Sequence, residues 1–305
     1  MTDSHNLYLL PLLKKYVEDF VSLPKWQRVL SRIAKYKLLI LAKKDKQNHK
    51  GMPAQANTFW GDTFHVLLPA AADIYLCGGK THDSEIRLAK YLIRHLQAHH
   101  IVIDIGAHFG YFTLLAAHLA ASGKVYAIEA AEHTFSVLSQ NVASKKNITA
   151  LHHAMSDYNG EFSFYEFPIL YSEYNSLDRD QYQHESWFAD IHVTETNIPC
   201  TTIDHFCNQK HITPDFIKID VEGAEDKVVD GAASLLAAHN TVVSVEYIRP
   251  KNDTGSSAHQ RAFDKLVSLG KKPHLIDTHG QLYSVSNMDD YFSESSSDSE
   301  NVIFL

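Results

Sequence analysis

IVIDIGAHFGYFTLLAA, residues Ile101–Ala117, decides how this chain is read. An apolar run ends at Asp104, glycines follow at Gly106 and Gly110, and apolar residues then continue at helical spacing. The pattern predicts a buried strand, a tight glycine turn and a helix N-terminus. The first N–H groups of a helix lack partners within it, so such a turn can hold part of a nucleotide-like ligand. Further on, KVYAIEA (Lys124–Ala130) is a second short apolar run that stops at Glu129. An acid at the end of a second strand can accept hydrogen bonds from both hydroxyls of a ribose.

From His100 onward, strand and helix patterns alternate, which predicts an α/β fold. Strands are expected at 100–105, 124–129, 147–154, 191–202, 215–220 and 241–247, with closing strands at 273–277 and 301–305. The alternating aromatics of EFSFYEF, 161–167, follow the turn Asn159-Gly160 and suggest a hairpin. Helices are expected at 81–97, with Thr81 or Asp83 as N-cap, over EDKVVDGAASLLAAH (225–239) and at 257–269. The acidic, serine-rich stretch 289–300 reads as a loop.

Residues 1–80 are expected to form an accessory segment and 81–305 the main domain. Two helical patterns, LYLLPLLKKYVEDFV and WQRVLSRIAKYKLLILAKK, flank Pro24, and 51–80 reads as short strands or irregular packing. The helices fit a lid or packing arm, or a surface through which two copies associate. The basic stretch Lys35–Lys50 also suits an acidic partner or a membrane surface.

Lys and Arg number 28 against 36 Asp and Glu, a net charge of −8. That balance argues against a general nucleic-acid binder. Cys77, Cys200 and Cys207 show no CxxC spacing and suit reduced thiols, and no apolar run approaches a membrane span. The N-terminus carries no signal-peptide pattern, so a cytoplasmic location is expected.

Acids fall at four predicted strand ends, Asp104, Glu129, Asp220 and Glu246, where open α/β sheets bind ligands. Carboxylates are costly to bury unless paired or bound to a ligand. The turn is G-A-H-F-G, without the third glycine of a dinucleotide fingerprint, and Asp104 stands where a pyrophosphate would be repelled. An acidic cradle suits a cationic ligand instead, such as S-adenosylmethionine with its sulfonium and α-ammonium.

At these residues the chain resembles the FkbM-type S-adenosylmethionine-dependent methyltransferases of the class I Rossmann-like fold. The resemblance rests on VIDIGAHFGYFTLLAA, on VYAIEA with LSQNV downstream, on IPCTTID, and above all on DFIKIDVEGAEDKVVDGA. It covers roughly residues 81–250. It implies a mostly parallel sheet with an antiparallel last strand, to which the helical patterns of the first 80 residues, themselves without a motif of the family, would add an N-terminal helical extension.

The same resemblance implies roles. Asp104, Gly106 and Gly110 would hold the methionine part of the cofactor, Glu129 the ribose, and Ser156 and Asp157 the adenine. Asp220 would face the reacting methyl group, while Glu222 and Glu225 would line the pocket or cap the next helix. His108 stands in the cofactor turn either as a neutral hydrogen-bonding group or as a catalytic one. The general base is sought first at Asp220, then at Glu246 and His108. Tyr247 and Arg249 would contact a small-molecule acceptor.

The implied reaction is O-methylation of a small molecule such as a sugar or glycosylated metabolite, leaving S-adenosylhomocysteine. Methylation of nitrogen, of a protein or of a glycan is the alternative, and a nicotinamide-dependent oxidoreductase or a non-catalytic scaffold are others. No metal site is expected, because Asp220, Glu222 and Glu225 on a strand-to-helix turn need not converge, although Mg²⁺ would suit oxygen ligands. The insert Tyr165–Trp187, with four tyrosines and a tryptophan, suits either stacking on a sugar or surface packing.

Overall fold

The computed structural model describes residues 6–44, 51–175, 188, 191–249 and 257–305. Most of the aromatic insert, 176–187, lies outside them.

Along the chain, β1 (Met52–Asn57) and β2 (Thr63–Leu68) form an antiparallel hairpin. The central sheet begins with β3 (Ile101–Ile105), β4 (Lys124–Glu129) and β5 (Ile148–His152). Then β6 (Ala154–Met155), β7 (Gly160–Glu166) and β8 (Thr194–Thr201) make a small three-stranded sheet. The chain returns to the central sheet through β9 (Phe216–Ile219), β10 (Val242–Ile248), β11 (Pro273–Ile276), β12 (Leu282–Ser284) and β13 (Ser299–Phe304).

The central order is β12-β11-β13-β10-β9-β3-β4-β5. Strands β10, β9, β3, β4 and β5 run parallel, while β13 lies antiparallel between β10 and β11. This is the expected sheet, with its antiparallel last strand.

Because side chains alternate along a strand, each parallel strand serves two cores. Val102, Val125 and Phe216 face one side, with Leu88, Leu92 and Leu114 from the helices Asp83–His95 and Tyr111–Leu119. Ile103, Tyr126 and Ile217 face the other, against Phe206, Val228 and Phe263 from the helices Ile203–Lys210, Glu225–Asp230 and Ala258–Ser268.

The first 80 residues share the former core: Leu9, Leu13, Phe64, Leu68 and Ile74 are each no more than 2% exposed within it. Full burial of a leucine side chain is worth about 2 kcal/mol, so this segment is anchored to the sheet. No described helix is long and apolar enough to cross a membrane.

Five local expectations fail for identifiable reasons. The hairpin foreseen around Asn159-Gly160 does not form, because β7 pairs antiparallel with β8 while β6, before the turn, pairs parallel with β8 on its other side. The helix foreseen over 225–239 breaks into Glu225–Asp230 and Ala233–Ala238. At the break, a Cβ on Gly231 would lie 2.1 Å from the carbonyl oxygen of Ser156, a distant strand's demand for glycine. The foreseen loop 289–300 instead holds the helix Met288–Glu294 and the start of β13. Asn287 caps that helix by accepting from the Asp289 N–H, and Met288 and Phe292 are buried. The helix at 83–95 is preceded by His82, without a side-chain cap, rather than by Thr81 or Asp83. The third predicted strand, 147–154, divides at His153 into β5 and β6.

Candidate active site

The carboxyl ends of β3, β4, β9 and β10 open onto a cavity of about 1160 Å³. Its floor includes Gly106, Glu129, Asp220 and Glu246, and Phe20, Arg28 and Tyr36 reach it from the N-terminal helices. Pockets that enclose a drug-sized ligand run to roughly 300–1,000 Å³, so this cavity lies just above the upper end of that range.

The glycine turn is shaped by its neighbour. Gly106 has φ +75°, and a Cβ there would stand 1.7 Å from the carbonyl oxygen of Asp220. The N–H groups of Gly106 and Ala107 both donate to the carbonyl of Ile128, 3.0 Å away, which ties the turn to β4. Gly110, at φ +90°, opens the following helix, where a Cβ would meet Leu138 at 2.6 Å. Its role is packing, and it does not line the cavity.

Glu129 is 7% exposed. One oxygen accepts from the backbone N–H of His108 at 2.7 Å, the other from Ala131 N at 3.0 Å and Thr134 Oγ1 at 2.7 Å. A carboxylate offers about four lone-pair sites, so accepting capacity remains toward the cavity. Burial pushes the Glu129 carboxyl up, and the three hydrogen bonds hold it back.

Asp104 sits below the floor rather than in the cavity wall. Its Oδ2 accepts from Thr113 Oγ1 at 2.5 Å, and its buried Oδ1 has no hydrogen-bond partner but lies 3.8 Å from Lys218 Nζ. Lys218 is 4% exposed and donates to Asp220 Oδ2 at 2.7 Å. The lysine therefore lies between two carboxylates, with its ammonium over the Phe112 ring.

Asp220 and Glu246 face each other on the adjacent parallel strand ends. Burial alone would raise the Asp220 carboxyl, but the Lys218 ammonium outweighs it and holds Asp220 below the usual carboxylate range. Glu246 is pushed well above that range by burial and by the charge of Asp220. The two carboxyls are thus shifted in opposite directions, so a proton shared between them resides preferentially on Glu246.

His108 adopts φ +50°, and its ring Nε2 is hydrogen-bonded with Ser172 Oγ at 3.1 Å. Burial, aided by the nearby Lys80 charge, lowers its pKa to about 3. The ring is neutral and too weakly basic to take a proton near pH 7.

The DVEGAE turn divides its acids. Glu222, at φ +53°, lines the cavity with Asp220. Glu225 turns away, accepting from the Gly223 N–H at 3.2 Å and standing 3.3 Å from His259 Nδ1. Asp220, Glu222 and Glu246 bring one oxygen each within 4.8 Å of one another. Glu246, not Glu225, completes that trio, while Lys218 already neutralises Asp220.

Three other expected residues lie off the cavity. Ser156 is fully buried, with its hydroxyl donating to Asp157 Oδ1 at 3.0 Å, and neither residue lines the cavity; Ala154 and Met155 do. Tyr247, 1% exposed, points to the opposite face of β10, where its hydroxyl donates to Gln260 Oε1 and its ring packs on Phe263. Arg249 does line the cavity.

A glycine turn under a parallel sheet, a ribose-competent acid at the next strand end and an antiparallel strand inserted beside β10 together define a Rossmann-like methyltransferase domain. The sequence profile described as Methyltransferase FkbM domain matches residues 104–273, and the chain belongs to that family. Membership sets aside the nicotinamide-dependent alternative. No curated protein matches the chain.

Solved structures similar to it include a methyltransferase FkbM from Methylobacillus flagellatus KT, at 12% identity, TM-score 0.42, covering 90% of this chain and 59% of that one. Another is the M. jannaschii TYW2 in complex with AdoMet, at 11% identity, TM-score 0.41, covering 83% and 84%. A third is a SAM dependent methyltransferase from Aquifex aeolicus, at 13% identity, TM-score 0.35, covering 73% and 89%. The chain thus spans only 59% of the first of these, and the assignment rests on the family match instead.

Proposed function

We propose that this chain transfers the methyl group of S-adenosylmethionine to a hydroxyl oxygen of a small polar acceptor, such as a sugar or glycosylated metabolite. The observation that carries the reading is the Asp220–Glu246 pair on the cavity floor, with Lys218 holding Asp220 ionised.

The residues present fit the cofactor. Glu129 retains accepting capacity for one ribose hydroxyl, and the Gly106 turn leaves its backbone unobstructed by a side chain. S-adenosylmethionine, when bound, supplies a methyl group already activated by a sulfonium. The protein's share is then alignment, which alone can lower a barrier by several kcal/mol. Asp220, ionised but too weakly basic to hold a proton near pH 7, accepts a hydrogen bond from the acceptor's hydroxyl and orients its oxygen, and the hydroxyl proton leaves to solvent as the oxygen is methylated. Lys218 and Glu246 hold the Asp220 carboxylate in that position.

The test is titration calorimetry with S-adenosylhomocysteine on wild type and Glu129→Ala, with NAD as control. Wild-type binding weakened about tenfold to hundredfold in the variant supports the reading. No binding, or binding of NAD instead, overturns it.

A further inference from the structure

The cavity is acidic below and basic above. Arg28 lines it from the helix Lys25–Ser31, and its Nε is buried without a hydrogen-bond partner. Arg32, just past the end of that helix, has the same buried, unpartnered Nε, and its guanidinium covers the ring of Phe20, itself a cavity residue, at 5.2 Å. Lys35 follows, donating to the Tyr75 carbonyl and lying over the Tyr75 ring at 4.9 Å. Among the described residues, none of these three cations forms an ion pair with a carboxylate. Asp73, on the helix Ala72–Cys77 and also in the wall, gives its oxygens to the backbone N–H groups of Ile74 and Thr81, at 2.8 and 3.3 Å.

Such an arrangement is costly when empty. A guanidinium N–H buried without an acceptor forgoes its hydrogen bond to water. Lys35 registers the crowding: its pKa is lowered, by burial first and then by the charge of Arg32. A planar guanidinium fork is also the side chain best matched to a carboxylate or phosphate.

We propose that Arg28, in the roof of the cavity and backed by Arg32 over the Phe20 ring, forms an anion subsite, so that the methyl acceptor carries a carboxylate or phosphate as well as the hydroxyl presented to Asp220. This deepens, and rests on, the reading of the cavity as a methyl-transfer site. The acceptor is then a sugar acid or sugar phosphate in chemical class, held at its anionic end by the N-terminal helices and at its hydroxyl end by the sheet. Those helices become part of the specificity apparatus.

The experiment is calorimetric titration at constant ionic strength with two minimal probes, inorganic phosphate and acetate, on wild type, R28M/R32M and R28K/R32K, each first shown to be folded by its thermal transition. Saturable wild-type binding of either probe, weakened about tenfold or more in R28M/R32M and partly restored in R28K/R32K, supports the subsite. Which probe binds more tightly separates a phosphate-bearing from a carboxylate-bearing acceptor. Absence of saturable binding of both probes, or equal binding by wild type and R28M/R32M, overturns it. Titration of the wild type with S-adenosylhomocysteine in the same buffer tests the methyl-transfer reading separately.

Discussion

Replacing Lys218 by Met removes the cation from between two carboxylates and leaves a side chain of similar length. At the observed 2.7 Å to Asp220 and 3.8 Å to Asp104, and an effective dielectric of about 20, the Coulomb attractions are about 6 and about 4 kcal/mol. Removing Lys218 also removes the cost of burying its ammonium, which cancels much of that sum. Deleting one partner of a buried pair leaves a net loss of about 3–5 kcal/mol. At about 2 °C per kcal/mol for a domain of this size, Tm falls by roughly 6–10 °C at pH 7.5.

The loss depends on pH. In the wild type, Lys218 holds Asp220 below its unfolded value, so that contribution is present above the unfolded pKa and fades as pH falls through the folded one. Without Lys218, burial raises both carboxyls, which then bind protons in the folded state before the unfolded chain does. The variant therefore recovers part of its deficit as pH is lowered from 7.5 to 5. Calorimetric melts of both proteins at the two pH values measure this. A fall in Tm below about 2 °C at pH 7.5, or the same deficit at both pH values, would refute the assignment of Lys218 as the charge that sets the pair.

Three further outcomes are expected. Gly106→Ala places a Cβ 1.7 Å from the Asp220 carbonyl at φ +75°, and should cost about 2–5 kcal/mol in urea unfolding; near-neutral behaviour would show that the two turns can separate. His108, with a pKa of about 3, should show imidazole ¹⁵N shifts that stay constant from pH 8 to pH 5, and a midpoint within that range would disprove its burial as a neutral ring. Because the unfolded chain binds that proton near pH 6.5 and the folded one does not, replacing His108 by Gln should flatten the loss of stability on acidification below pH 6.5 by up to about 1.4 kcal/mol per pH unit, as followed by melts.

The parallel strands and the glycine turn were legible because their information is contiguous: Ile101–Gly110 contains its own strand, turn and helix start. Glu129, Asp220 and Glu246 followed from strand ends alone. The same rule misplaced Asp104, because Thr113, on the next helix, turns that carboxylate under the floor. Tyr247 was within reach of the sequence, since period-two alternation sends it opposite Glu246 once Glu246 faces the cavity.

Lys218 was passed over inside an apolar run, where a lysine flanked by Ile217 and Ile219 and two residues before Asp220 was the available signal. Gly231 could not be read locally, because the carbonyl that forbids its side chain comes from β6's neighbour Ser156. The roof arginines escaped because their meaning lies in what they lack, and missing partners appear only in three dimensions.

The contact between Gly106 and the Asp220 carbonyl has a mechanical consequence. The Gly106 N–H is bonded to Ile128 and the Asp220 N–H to Ile105, so β3, β4 and β9 are pinned at one point. The two turns are tied into one unit, and amide hydrogens at the pinned point should exchange far more slowly than those of Lys25–Ser31.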